Sequence, residues 1–279
     1  MTHATDHSTG IIDLHSHLVP GVDDGTRTVA ESLTALAGLH AEGVRLVVTT
    51  PHLLVPRLES DAALVLELDT HRRAFDRLAE ATADQQNLPV LMLGQEIWAP
   101  DAASVQRVTG RREVGLPGRF LLVEFGFTLQ GDHNEVVREV LDAGRQILIA
   151  HPERYHYVPG AEPIEVMRCW QDLGALLQIN VGSLSGHYEG SSPGSSRLAW
   201  QMIDTGMVDV IATDHHGPRR RGVSPAEGLQ ELIDRGASAV AQRVMGENPT
   251  RIMRDDLLPS GLPGQGRGAD RLEQEPGRP

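Results

Sequence analysis

Residues 11–17 read Ile-Ile-Asp-Leu-His-Ser-His, an apolar run that ends in two histidines. His15 and His17 are two positions apart, so both imidazoles point to the same side of an extended chain. The run therefore predicts a short buried strand whose carboxyl end carries two candidate metal ligands. The same pattern recurs along the chain, and it determines both the predicted fold and the predicted site.

Seven apolar runs of this kind alternate with longer stretches of helical character. The predicted strands are residues 11–14, 45–49, 90–93, 120–124, 146–150, 176–181 and 208–212. The predicted helices are residues 29–42, 62–83, 133–143, 163–173, 195–205 and 225–235, and the segment 98–117 adds only a short helix. Because no hairpin signal joins consecutive strands, we expect parallel strands connected by crossovers. Such strands fit either an open doubly wound sheet or a (β/α) barrel.

Imidazoles and carboxylates follow six of the seven predicted strands at their carboxyl ends. Beyond the first strand, these residues are His52, Glu96, Glu124, His151, Asp214 and His216. The sixth strand ends in Gln178-Ile179-Asn180, which is polar but not a strong ligand set. In a parallel barrel all these ends meet at one face, where active sites lie. The residue types suit Zn, Mn or Fe, and their number indicates two or more ions, the arrangement that splits phosphate esters.

The composition excludes several other chemistries. The chain has 279 residues, and all 25 of its basic residues are arginine. Without lysine there is no Schiff-base enzyme, no Walker A motif and no protein kinase of the ordinary type. The single cysteine, Cys169, excludes a disulfide framework and a cysteine-based zinc cluster. The net charge of −13 argues against a nucleic-acid partner.

The predicted organisation is one domain with two irregular ends. We expect a flexible segment at residues 1–10, a folded domain at 11–258 and a disordered tail at 259–279, which is rich in proline and glycine. No apolar run approaches the length of a membrane span, and the first ten residues do not resemble a signal peptide. These features predict a soluble protein in the cytoplasm.

Seven short motifs, in order along the chain, resemble those of the PHP superfamily. They are Asp-Leu-His-Ser-His at 13–17, Val-Asp-Asp-Gly at 22–25, Thr-Pro-His at 50–52, Gly-Gln-Glu-Ile at 94–97, Val-Glu-Phe at 123–125, Ala-His-Pro-Glu-Arg-Tyr at 150–155 and Thr-Asp-His-His at 213–216. More closely, the chain is similar to the bacterial manganese-dependent tyrosine-protein phosphatases of the CpsB/CapC/YwqE type. The resemblance covers residues 11–256 and implies a distorted (β/α)₇ barrel of parallel strands in a single domain.

The resemblance also implies the residues of the site. Matched position by position, the metal ligands are His15, His17, Asp24, His52, Glu96, Glu124, His151, Asp214 and His216. The implied cofactor is Mn²⁺, as two or three ions, with Fe or Zn as alternatives. Two arginines, Arg154 and Arg221, match the family's phosphate-binding positions, although Arg219 and Arg220 lie beside the second of them.

The implied reaction is attack of a metal-bridging hydroxide on a phosphotyrosine. The implied substrate is a bacterial tyrosine kinase at the inner membrane face that regulates capsule or exopolysaccharide synthesis. A small-molecule phosphatase of the same superfamily, such as histidinol-phosphate phosphatase, is the main alternative. A PHP nuclease and a metal-loaded barrel without catalytic activity are further alternatives.

Overall fold

A computed structural model describes residues 10–131, 133–220 and 222–258. Residues 1–9, the predicted tail at 259–279 and Arg221 lie outside the described residues. The expectations for the two ends of the chain and for Arg221 therefore stay predictions.

The described residues form nine short strands, and every pairing between them is parallel. The strands are β1 (Ile11–Asp13), β2 (Val44–Thr49), β3 (His52–Leu53), β4 (Val90–Leu93), β5 (Glu96–Trp98), β6 (Phe120–Glu124), β7 (Gln146–Ala150), β8 (Leu176–Asn180) and β9 (Val210–Ala212). One sheet has the order β1-β2-β4, and the other has the order β3-β5-β6-β7-β8-β9.

Helices connect the strands and cover the outside of the sheets. They are α1 (Val29–Ala41), α2 (Asp61–Thr82), α3 (Ala102–Thr109), α4 (Asn134–Asp142), α5 (Pro163–Leu173), α6 (Val181–Leu184), α7 (Ser195–Asp204), α8 (Pro225–Asp234), α9 (Ser238–Gln242) and α10 (Asn248–Met253). The six predicted long helices are confirmed to within one residue at each end, and α3 is the short helix expected at 98–117. Among the described residues, none of the helices has the length and apolar character that crossing a membrane requires.

Two strands of the barrel are interrupted, so that nine segments fill seven strand positions. Thr50 and Pro51 separate β2 from β3, and the pair 94–95 separates β4 from β5. Backbone hydrogen bonds bridge the interruptions: Gly94 N donates to Thr49 O at 2.9 Å, and Glu96 N donates to Pro51 O at 3.2 Å. The chain after β2 therefore continues as β3, and the chain after β4 continues as β5. Both β3 and β5 belong to the second sheet.

The first and last strands meet and close the barrel. Ser16 pairs with His215 in a parallel bridge, and His17 N donates to His215 O at 2.8 Å. The Asp13 carboxylate accepts the backbone N–H and the hydroxyl of Thr213, at 2.9 and 2.6 Å. The predicted distorted barrel of seven parallel strands is thus confirmed, and the open doubly wound sheet is excluded.

Alternation along the strands sets up the layers of the core. Leu122 and Leu148 belong to a cluster inside the barrel. Their neighbours Leu121 and Ile149 belong to the larger cluster between the strands and the helices, where Trp170 is fully buried. Each such side chain contributes about 1.5–3 kcal/mol when it is withdrawn from water. The same alternation turns Glu124, two residues beyond Leu122 on β6, toward the barrel axis.

Candidate metal centre

The structure brings all nine predicted ligand residues together at the carboxyl ends of the strands. Their ligand atoms form four groups, each within 4.8 Å. The groups are His15, Glu96 and His151; His15, His17 and Asp214; His52, Glu96 and Glu124; and His17, Asp24, His52 and His216. Several residues occur in two groups, so the four groups make up one continuous cluster.

Glu96 lies at the middle of this cluster. Its Oε2 is 3.3 Å from His15 Nε2, 3.4 Å from His17 Nε2 and 2.9 Å from His52 Nδ1. Its Oε1 is 3.0 Å from His151 Nε2. Burial alone would raise the pKa of Glu96, but the facing imidazoles, first that of His15, hold the pKa well below its usual range.

Asp214 contributes one oxygen to the cluster and uses the other for hydrogen bonds. Its Oδ1 lies 3.2 Å from His17 Nε2 and 3.5 Å from His15 Nε2. Its Oδ2 accepts Nη1 of Arg154 at 2.8 Å and Nδ2 of Asn180 at 2.7 Å. The two hydrogen bonds to Oδ2 fix the orientation of the carboxylate, so that Oδ1 faces His15 and His17.

The electrostatics of the cluster favour positive charge at its centre. Burial lowers the pKa of His15, but the charges of Glu96 and Asp214 outweigh this effect and raise the pKa to about 9. Burial and the neighbouring Glu96 charge raise the pKa of Glu124 to about 7. Buried carboxylates at this density repel one another unless cations lie between them.

The atoms at the centre also lack ordinary hydrogen-bond partners. Within the described part of the chain, the buried atoms Glu96 Oε2 and His52 Nδ1 have no hydrogen bond of acceptable geometry. The Nε2 atoms of His15 and His17 point toward each other at 3.2 Å. Imidazole nitrogens and carboxylate oxygens that converge in this way fit Mn, Fe or Zn ions.

Three supporting residues were not predicted as part of the site. Asp23 Oδ2 lies 2.8 Å from His17 Nδ1, and Gln178 Oε1 lies 2.9 Å from His15 Nδ1. Asn180 holds Asp214, as described above. The sequence Asp-Asp-Gly is typical of a turn, and amides are weak metal ligands, so neither pattern indicated a supporting role. The available signal was the two-residue spacing of Gln178 and Asn180, which places both amides on the inner side of β8.

A cavity of about 220 Å³ adjoins the cluster. Its lining includes Arg154, Tyr188, Asp214, His216 and Arg220. The Arg154 guanidinium lies 4.0 Å from the ring centroid of Tyr188 and 4.9 Å from that of Phe127. Arg154 is therefore held over the cavity by two rings and by its bond to Asp214.

The two described arginines that precede Arg221 have different surroundings. Arg220 Nη2 donates to Asp24 Oδ2 at 2.6 Å and faces the cavity. Arg219 bonds both carboxylate oxygens of Glu31 at 3.1 Å and the backbone oxygen of Gly25 at 2.6 Å. Of these two, only Arg220 lines the cavity.

The structure is thus a closed α/β barrel of parallel strands that gathers His, Asp and Glu side chains at the carboxyl ends of its strands. More narrowly, the chain belongs to the CpsB/CapC family. The family model described as "Capsular polysaccharide synthesis, CpsB/CapC" matches residues 11–254. The family resemblance drawn from the sequence motifs is thus confirmed.

Two relatives and a solved structure show the extent of the similarity. Tyrosine-protein phosphatase YwqE of Bacillus subtilis is 25% identical over 263 residues, covering 89% of this chain and 93% of the relative. Tyrosine-protein phosphatase CpsB of Streptococcus pneumoniae is 26% identical over 257 residues, covering 89% and 100%. A crystal structure from work on these two proteins superimposes on this chain with a TM-score of 0.74 at 24% identity. The match covers 89% of this chain and 96% of that chain, and that work describes the two proteins as unique metal-dependent tyrosine phosphatases.

Proposed function

We propose that this chain is a metal-dependent phosphomonoester hydrolase that dephosphorylates phosphotyrosine in a protein. One observation carries the proposal: a buried cluster of converging imidazoles and carboxylates opens onto a cavity beside an arginine. This combination can bind both the charge of a phosphate and the cations that activate its hydrolysis. Membership of the CpsB/CapC family supports the same activity.

The nine clustered residues are the proposed ligands of two or three ions, with Mn²⁺ as the proposed metal and Fe or Zn as alternatives. Glu96 belongs to two of the four ligand groups, so it would be a ligand in both of them. Divalent ions held there supply Lewis acidity and a water molecule of lowered pKa.

Arg154 is the proposed anchor for the phosphate. Its Nη1 is engaged by Asp214, while its Nε is buried and has no hydrogen-bond partner among the described residues. A planar guanidinium can bond two phosphate oxygens at once, which orients the ester as well as binding it. Arg220 faces the same cavity and provides a second positive charge, and Arg221 remains a predicted contact.

The rim of the site favours an aromatic ester. Phe127 is 42% exposed, an unusual degree for a large apolar side chain next to such a cluster. Its ring is nearly parallel to that of His151, with an interplanar angle of 7° and centroids 5.8 Å apart. A phosphotyrosine ring whose phosphate contacts Arg154 can pack against Phe127.

The leaving group needs little help from a protein acid. The phenol of tyrosine has a pKa of about 10, far below that of an aliphatic alcohol. His215 adjoins two of the candidate ligands, but burial lowers the pKa of His215 to about 4, so its ring is neutral at pH 7. Its Nδ1 accepts the backbone N–H of Gly217 at 2.8 Å. We therefore assign no proton transfer to His215.

The proposed substrate protein is a bacterial tyrosine kinase at the inner membrane face that controls capsule or exopolysaccharide synthesis, and the proposed location of the enzyme is the cytoplasm. The link to capsule synthesis rests on the description of the family.

Initial rates on a phosphotyrosine peptide, a phosphoserine peptide and histidinol phosphate test the substrate class. The proposal predicts rapid release of phosphate from the phosphotyrosine peptide alone. Preferential turnover of histidinol phosphate would instead indicate a small-molecule phosphatase that uses the same metal centre.

A further inference from the structure

Two buried amides on β8 connect two of the proposed metal ligands. Gln178 Oε1 lies 2.9 Å from His15 Nδ1, and Gln178 Nε2 donates to Asn180 Oδ1 at 2.8 Å. Asn180 Nδ2 in turn donates to Asp214 Oδ2 at 2.7 Å. His15, Gln178 and Asn180 are fully buried and Asp214 is 6% exposed, so solvent does not compete for these bonds.

The chemistry of the four groups gives this chain of bonds a direction. A carboxylate only accepts, so Asn180 must present its NH₂ to Asp214 and its oxygen to Gln178. Gln178 must then donate to Asn180 and present its own oxygen to His15. The ring nitrogen that faces an amide oxygen has to carry a proton, so His15 is protonated at Nδ1. Nε2 is then the ring nitrogen that would bind a metal ion in exchange for its own proton.

We propose that Gln178 and Asn180 are positioning residues that fix the tautomer and the ring orientation of His15 for metal binding. Neither amide is itself a proposed ligand. The inference rests on the metal centre of the proposed function. It gives β8, which among the seven described strand positions lacks a candidate ligand, a role in that centre.

The surroundings of the two amides support a fixed geometry. The backbone N–H of Asn180 donates to Glu153 Oε1 at 2.9 Å, and Ser183 Oγ donates to the same oxygen at 2.7 Å. Glu153 is buried, so the end of β8 is anchored independently of the amide chain. His17 obtains the equivalent support from a different residue, Asp23. Loss of the amides should therefore affect His15 without releasing His17.

Metal affinity tests the proposal. A chelator first removes bound metal from three variants: Gln178→Leu, Asn180→Leu and the double variant. The Kd of each for Mn²⁺ is then measured by competition with a metal-binding dye. We expect each single change to weaken binding by about 10–100-fold, as loss of support behind a ligand does. We expect the double variant to bind Mn²⁺ only about as weakly as the weaker single variant, because either change breaks the same chain.

Asn248→Leu is the matched control. Asn248 is also a buried amide, and its Nδ2 donates to the backbone oxygen of Asp209 at 2.8 Å. We expect this change to lower the melting temperature and to leave the Kd for Mn²⁺ within about twofold of the unmodified protein. Equal loss of affinity in the control would overturn the proposal, because the effect would then be one of general stability.

The outcomes separate the two claims. If the unmodified protein binds no metal, the proposed function fails. If it binds Mn²⁺ and the β8 variants bind equally well, or if their losses are additive, only the positioning role fails. Should the variants not fold, ¹⁵N NMR of the histidine rings in the unmodified protein loaded with diamagnetic Zn²⁺ decides. The proposal requires a proton on Nδ1 of His15, and its absence would contradict it.

Discussion

Arg154 lies between the cluster of candidate ligands and the adjoining cavity and contacts both. Its guanidinium donates to Asp214, lies over Tyr188 and Phe127, and keeps Nε without a hydrogen-bond partner in the described part of the chain. An ammonium group cannot reproduce this arrangement, because it has neither the planar fork nor the stacking surface.

Arg154→Lys should therefore lower kcat/KM for a phosphotyrosine peptide by about 100-fold, the effect of losing a donor to developing negative charge. Steady-state rates on the metal-loaded enzyme measure the effect. Arg219→Lys is the control, since Arg219 is bonded to Glu31 and Gly25. Activity of Arg154→Lys within threefold of the unmodified enzyme would exclude the anchoring role.

Phe127→Ala should raise KM for a phosphotyrosine peptide about tenfold, because the substrate ring loses its packing partner. The rate on a small aliphatic phosphate ester should fall much less, since that substrate has no ring and loses only the contact between Phe127 and Arg154. Ile233→Ala removes a similarly exposed apolar side chain on α8 and should change neither rate. Parallel losses on both substrates after Phe127→Ala would refute a role in ring recognition.

Eight of the nine candidate ligands could be predicted from their places at strand ends and Asp24 only from the family resemblance, whereas their supports could not be predicted. Parallel strands bring their carboxyl ends together, so His and acidic residues after each strand were expected to meet, and the structure places them together. Which acceptor each imidazole reaches depends on distant elements. Gln178 lies 163 positions from His15, and no local pattern encodes that pairing.

At the scale of an element, the loop after β1 is shaped by close packing over His17. Gly21 N donates to Thr26 O at 2.8 Å, and Thr26 N donates to His17 O at 3.1 Å. A Cβ on Gly25 would collide with the backbone oxygen and the Cβ of His17. The absence of a side chain at position 25 thus allows the loop to lie close enough for Asp23 and Asp24 to reach the centre.

Gly25→Ala should weaken Mn²⁺ binding by about tenfold or more, because the added methyl group moves the loop away from His17. Titration of the chelated protein with Mn²⁺ measures the affinity. The matched change Gly38→Ala lies in α1, where an added Cβ meets no atom within 4 Å. It should leave the affinity unchanged and stabilise the helix by up to about 1 kcal/mol. Equal affinities for the two variants would contradict the account.

Most elements followed from hydrophobic periodicity, and the exceptions have physical reasons. The breaks after β2 and β4 were not predicted, because the chain stays extended there and only the pairing partner changes. The helical stretch made of α9, a π-helical turn (Arg243–Glu247) and α10 was also not predicted, since its two α-helical parts are each under two turns. Ile252 of α10 belongs to the cluster inside the barrel.

At the scale of the whole molecule, the barrel gathers side chains from most of its strands around one charged centre. Glu96, Glu124 and Asp214 are all buried in a chain of net charge −13. Cations that bind the folded barrel and not the unfolded chain stabilise it by mass action.

Reloading the chelated protein with Mn²⁺ at about 100 times its Kd should add about 2.7 kcal/mol to the free energy of unfolding. For a domain of this size, the melting temperature should rise by about 5–10 °C. Thermal unfolding followed by circular dichroism measures the shift, and His15→Ala should show a smaller one. An unchanged melting temperature would mean that the metal does not bind the folded centre.

The most direct test of the central claim is the rate of phosphate release from a phosphotyrosine peptide before chelation, after chelation and after reloading with Mn²⁺, with His15→Ala measured alongside. The account predicts that chelation abolishes release, that Mn²⁺ restores it and that His15→Ala stays inactive throughout. Release that survives both chelation and His15→Ala would show that hydrolysis does not occur at this centre.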